Sequence, residues 1–178
     1  PMWRGGLSGP NSLYLHADRP MISENSTSPL LHEVMHSILR IAAADGYDWV
    51  VEGLAEFYSL ELLRRSGTIT ESRYQKAMMF QENWSQSADT LCRSASTGAT
   101  TALAVTVMAA LDKEIQKRTN GDASLDDVLT ALMQDPRNIT LDDVQTIVSD
   151  LTGSESVILQ LDKLPGCRSI QSIAEETS

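Results

Sequence analysis

Apolar residues recur three and four positions apart along most of this chain, so most of it reads as helix. Ser28-Pro29 is a helix start, with serine as cap and proline at the first helical position. Behind it Leu30, Leu31, Val34, Met35, Ile38, Leu39 and Ile41 form a wide apolar surface. The pattern predicts a helix over 29–43, broad enough to run through the centre of a domain. Asp45-Gly46 marks a turn, and Asp48 is placed to cap a second helix over 49–65. Arg64 and Arg65 suit the negative end of that helix, before Gly67.

Thr70 caps a third predicted helix over about 71–89, although 83–87 is polar and loop-like. A fourth runs over 97–117 and ends at Asn120-Gly121. Ser124-Leu125-Asp126-Asp127 and Thr140-Leu141-Asp142-Asp143 then each place a hydroxyl three residues before an acid. That is a capping box, and it explains the paired aspartates more cheaply than a metal site does. Helices over 125–134 and 141–151 follow, with a short last one over 155–163. Strand signal is confined to 11–16, behind a glycine-rich turn. The expected fold class is mainly α with a short N-terminal β edge. So short an edge needs a partner strand, from a preceding region or another copy.

The length, 178 residues, suits one domain, expected over 1–166 with a polar tail at 167–178. The opening residues look like the interior of a domain, so a longer precursor or an excised fragment is expected. Aromatics are only 5% of the chain, so the core is expected to be aliphatic and alanine-rich. A net charge of −10 argues against nucleic acid and anionic membrane surfaces as partners. The longest small-apolar run, 99–111, is too short to span a membrane. Cys92 and Cys167 fit no zinc motif. They read either as a disulfide, which implies an oxidising compartment such as the periplasm or the cell exterior, or as two separate buried thiols.

The chemistry concentrates in His32-Glu33-Val34-Met35-His36. On a helix the two histidines lie one turn apart on one face and can bind one metal. Glu33 points to one side of them, within reach of a metal-bound water. This is the His-Glu-x-x-His pattern of two zinc ligands and a general base. Catalytic zinc takes a third protein ligand. The second helix, returning after a short turn, brings Glu52 back over the histidines as that ligand. Glu56, one turn on, suits the second N–H of a ligand histidine, with His32 as its partner. His16, alone in an apolar stretch, reads as structural.

His-Glu-x-x-His followed by Glu52-Gly53-Leu54-Ala55-Glu56-Phe57 resembles the gluzincin zinc metallopeptidases, most of all the glycyl aminopeptidase family and its aminopeptidase N relatives. Fifteen residues (37–51) lie between His36 and Glu52, fewer than those families use, which implies a shortened loop. Lys117 to Gly121, Ser124 to Val128 and Thr140 to Asp143 resemble the family's later helices. The resemblance covers most of 1–165. It implies a thermolysin-like zincin helical catalytic domain and a zinc-dependent peptidase. Its partner would be a peptide or protein substrate, with Glu33 as general base.

The resemblance also implies substrate-binding roles for Gly5 and Gly6, in a glycine turn where Ser8 stands in place of the family's acid. The family stabilises the oxyanion with a tyrosine in the stretch that opens its long helix. Here that stretch is Ser94 to Gly98 and has no tyrosine. Arg93 is the nearby substitute donor; Tyr14, His16 and Tyr74 are more remote ones. These departures leave an alternative: a degenerate gluzincin that binds zinc or peptide without efficient turnover.

Overall fold

The computed structural model describes residues 7–9, 12–15, 17, 18 and 20–167. Helix α1 spans Pro29–Leu39, α2 Asp48–Arg65, α3 Glu71–Ser85, α4 Ala99–Arg118, α5 Leu125–Leu132 and α6 Leu141–Thr152. Strands β1 (Leu7–Gly9) and β2 (Ser12–Tyr14) precede them. The fold is mainly α. The hairpin corrects one expectation: β2 pairs antiparallel with β1 of the same chain, Leu7 opposite Tyr14, and needs no outside strand. It rests on α1.

Helix α2, not α1, occupies the centre. It packs on α1, α3 and α4 and is buried along nearly its whole length, Trp49 and Val50 completely. Ile38 of α1 is instead 56% exposed. The sequence of α2 carries little one-sided polarity because all its faces meet protein. Its closest approach is to α4. A Cβ on Gly53 would lie 2.8 Å from the Ala104 Cβ and 3.2 Å from the Ala104 carbonyl carbon. Glycine costs a helix about 1 kcal/mol relative to alanine, so Gly53→Ala gains that much locally. Overpacking of about 1–3 kcal/mol opposes the gain, because α4 presents backbone there and cannot yield by a side-chain rotation. We expect Gly53→Ala to lower the melting temperature and to weaken metal binding by displacing Glu52. The pair Gly53→Ala, Ala104→Gly should recover part of both losses; no recovery would place the strain elsewhere.

Helix α1 begins as read, with the Ser28 hydroxyl accepting from Leu31 N at 3.2 Å. It ends four residues before the expected 43. Arg40 turns left-handed at φ 52, and the chain then bonds to the segment before α6. Ala42 N donates to Pro136 O, Ile139 N to Ala42 O, and Ala44 N to Ile139 O. These bonds replace the last helical turn. Asp48 is corrected too: no side chain caps α2, and the Asp48 carboxylate instead accepts the Ser96 N–H at 2.5 Å. Both capping boxes form as read, so Asp127 and Asp143 are helix starts and not ligands.

The helix expected over 155–163 shrinks to one 3-10 turn, Leu161–Lys163. Glu114 of α4 takes the local donors: Ser156 Oγ at 2.5 Å, Val157 N at 3.0 Å and Ile158 N at 3.4 Å. Burial works to raise the Glu114 pKa, but these hydrogen bonds and Arg118 hold it below its ordinary value of 4.5. Its stabilising contribution is therefore present above the unfolded-state pKa and fades as pH falls through the lower folded value. Glu114→Gln should cost about 1–3 kcal/mol at pH 7. The melting-temperature gap to wild type should narrow towards pH 3. A gap constant with pH would assign the loss to packing.

Cys92 and Cys167 form a disulfide, which settles the two readings of these residues and takes Cys167 out of the loose tail. Leu91 N also donates to Pro165 O at 2.7 Å. The C-terminal segment is thus fastened to the loop between α3 and α4. The rest of the expected tail, 168–178, lies outside the described residues. No helix among the described residues is long and apolar enough to cross a membrane.

Candidate metal centre

Helix α1 presents His32 and His36 one turn apart, and the returning α2 lays Glu52 against both. His32 Nε2 and His36 Nε2 are 3.0 Å apart. Glu52 Oε2 is 3.2 Å from His32 Nε2, and Glu52 Oε1 is 3.2 Å from His36 Nε2. Ligand atoms from these three residues lie within 4.8 Å of one another, a group that can hold a metal ion. One turn along α2, Glu56 Oε2 accepts from His32 Nδ1 at 3.0 Å. That bond leaves His32 Nε2 facing the cluster. Glu56 is itself held by the Gln81 side-chain amide, which donates to Oε1 at 3.3 Å.

The electrostatics of the trio follow from this packing. Burial works against a charge on His32, but the hydrogen bonds to Glu52 and Glu56 outweigh it and raise its pKa to about 10. Burial likewise opposes ionisation of Glu52, and its bonds to the two imidazoles overcome that and bring it down to about 2. Two imidazoles and two carboxylates thus share a half-buried place that favours positive charge. Without a metal a proton on His32 supplies it.

Glu33, on the same helix as the histidines, is only 8% exposed and lines the same cleft. Its backbone carbonyl accepts from Ser37 Oγ at 3.1 Å. Among the described residues no group hydrogen-bonds to its carboxylate. A carboxylate without a hydrogen-bond partner, beside a group that can hold a metal ion, can take a proton from something bound in the cleft.

The cleft encloses about 360 Å³. Besides His32, Glu33, Glu52 and Glu56, it is bounded by Gln81 and Trp84 of α3 and by Ser96, Thr97 and Gly98 before α4. Sequence reasoning missed this second group. Gln81 had left a signal: it continues the helical stripe of Tyr74, Ala77 and Met78, yet it is polar where an apolar side chain is expected. Trp84 falls on α3, whereas 83–87 reads as loop.

The donors considered for an oxyanion do not meet here. Arg93 is turned to Asp89 on its own loop, and the residues that bound the cleft do not include it. Tyr74 lies by Glu61 and Arg64. Tyr14 is exposed on β2. Gly5, Gly6 and His16 lie outside the described residues, and of Ser8 only the backbone pairing with Leu13 is described. No protein family, curated protein or solved structure compared with the chain matches it, and its functional reading rests on the site's own geometry.

Proposed function

We propose that this chain is a zinc-dependent peptidase of the gluzincin type, with His32, His36 and Glu52 as zinc ligands and Glu33 as general base. The observation that carries the reading is the close group of His32, His36 and Glu52 beside Glu33, whose carboxylate has no hydrogen-bond partner among the described residues. A tetrahedral zinc with bonds near 2.0–2.2 Å needs neighbouring ligand atoms about 3.3 Å apart. The two imidazole nitrogens are 3.0 Å apart, and each meets its own oxygen of the Glu52 carboxylate at 3.2 Å, Oε2 for His32 and Oε1 for His36. Two imidazole nitrogens and one carboxylate oxygen are also a donor set that zinc favours.

Zinc held there supplies a Lewis acid that polarises a scissile carbonyl and acidifies a water. The chain's own residues do the rest. Glu56 holds His32 in the tautomer whose Nε2 is a free ligand. Glu33 accepts the proton of the attacking water on its carboxylate. It then gives that proton to the leaving amine nitrogen as the C–N bond breaks. The water oxygen remains in the new carboxyl group. The Cys92–Cys167 disulfide supports an oxidising compartment, such as the periplasm or the cell exterior.

One observation favours a second reading, a degenerate member that holds zinc or peptide without efficient turnover. No tyrosine, lysine or arginine is among the described residues that bound the cleft. Metal analysis of protein purified without added zinc, paired with a hydrolysis assay on short peptides, separates the readings. The peptidase predicts about one zinc per chain and cleavage. Zinc without cleavage selects the degenerate member, and no metal uptake removes the peptidase and leaves only a degenerate member that holds peptide.

A further inference from the structure

Ser96 is 5% exposed, it bounds the cleft, and its hydroxyl has no hydrogen-bond partner among the described residues. A buried hydroxyl left unpaired costs free energy, so such a group calls for a partner that arrives from outside the protein. The main chain at Ser96 is held in place at the cleft, because the Ser96 N–H donates to the Asp48 carboxylate.

Two residues further on, α4 begins at the same cleft. Gly98 stands at its N-cap with φ 56, and no side chain caps the helix. Its first-turn N–H groups therefore point outward with partial positive charge. Thr97 O takes the N–H of Thr100, but no side chain supplies the anion that a helix start favours. The positive φ is one that residues with a side chain rarely adopt, which accounts for glycine at this cap.

We propose that the Ser96 hydroxyl and the N-terminal turn of α4 form a subsite for a negatively charged oxygen of the ligand in the cleft. Two sources carry that chemistry. One is the free α-carboxylate of a bound peptide. The other is the oxyanion that forms on the scissile carbonyl as water adds to its carbon; this source alone rests on the peptidase reading. In either case Ser96 donates its O–H to the charged oxygen, and Asp48 positions Ser96.

The test uses the full chain as wild type, Ser96→Ala and Ser96→Thr, after zinc content and melting temperature are shown to agree among them. Gly-Gly-Phe with a free carboxylate and the same peptide as its C-terminal amide are titrated by calorimetry. The titrations use a Glu33→Gln background, with zinc and after chelation. Both peptides are then assayed for kcat and KM with Glu33 intact. A carboxylate subsite makes the free acid bind at least roughly tenfold tighter than the amide. Ser96→Ala should then abolish the preference, and Ser96→Thr should keep it. An oxyanion subsite leaves binding alike for both peptides. Ser96→Ala should then lower kcat about 10²-fold at constant KM, and threonine should restore it.

Turnover indifferent to Ser96, without any acid preference, overturns the subsite and leaves the peptidase reading standing. A Ser96-dependent acid preference without zinc uptake or turnover does the reverse. Neither preference nor turnover in wild type overturns both.

Discussion

Glu52→Ala is expected to strip the protein of zinc. The substitution removes the carboxylate whose two oxygens meet the two imidazoles at 3.2 Å, and leaves only the pair of rings. Two ligands fall short of the three that a catalytic zinc takes from protein. The loss also changes the charge of the cluster. Glu52, brought down to about 2 by its imidazole partners, contributes a full negative charge at any working pH. Without it the metal would face two neutral rings. Glu56 makes the informative contrast, because its carboxylate meets His32 Nδ1, on the far side of the ring from Nε2. Glu56→Ala should therefore weaken zinc roughly 10–100-fold through orientation alone, and Glu52→Ala by well beyond that range. Competition against a chelator, with metal analysis after dialysis, reads both. Full zinc retention in Glu52→Ala would remove it from the ligand set.

What the sequence disclosed about this fold was what depends on neighbours along the chain. Helices α5 and α6 start where Ser124 and Thr140 begin their capping boxes, since a box closes within four residues. That His32, His36 and Glu52 come together was legible for a related reason. The i,i+4 spacing fixes His32 and His36 on one face, and one turn of chain decides how α2 comes back. Helix α1 shows the limit. Its helical pattern runs past Leu39, but hydrogen bonds of Ala42 and Ala44 to residues nearly a hundred positions away end it. The expected helix at 155–163 failed in the same way, because Glu114, on another helix, outcompeted the local backbone for Val157 and Ile158.

The cleft repeats that division. Glu33, His32, Glu52 and Glu56 come from two adjacent helices and were read from spacing. Ser96 comes from the loop between α3 and α4. Its place is set by Asp48 at the start of α2, and the same loop is tied by Cys92 to Cys167. No pattern within 86–98 carries that information. Arg93 illustrates the hazard of sequence proximity: three residues from Ser96, it pairs with Asp89 and does not bound the cleft.

Glu33→Gln is expected to leave zinc in place and to remove most of the turnover. Glu33 does not belong to the group of side chains placed to hold the ion, so its loss should leave the proposed donor set complete. Among the described residues its carboxylate takes part in no hydrogen bond, so no structural contact is broken either. Glutamine keeps the volume of the side chain in a place only 8% exposed, and it avoids the cavity that alanine would open. What it loses is the ability to accept a proton at the pH of the assay. A positioned general base contributes about 10²–10⁴-fold, and Glu33 serves twice, taking a proton from water and giving it to the amine. A fall in kcat of at least about 10²-fold, with zinc content and melting temperature unchanged, is therefore the expected result. A comparable fall in zinc content would instead show Glu33 to be a ligand. Equal activity in variant and wild type would trace the hydrolysis to a contaminating protease and leave the degenerate-site reading in possession of the cleft.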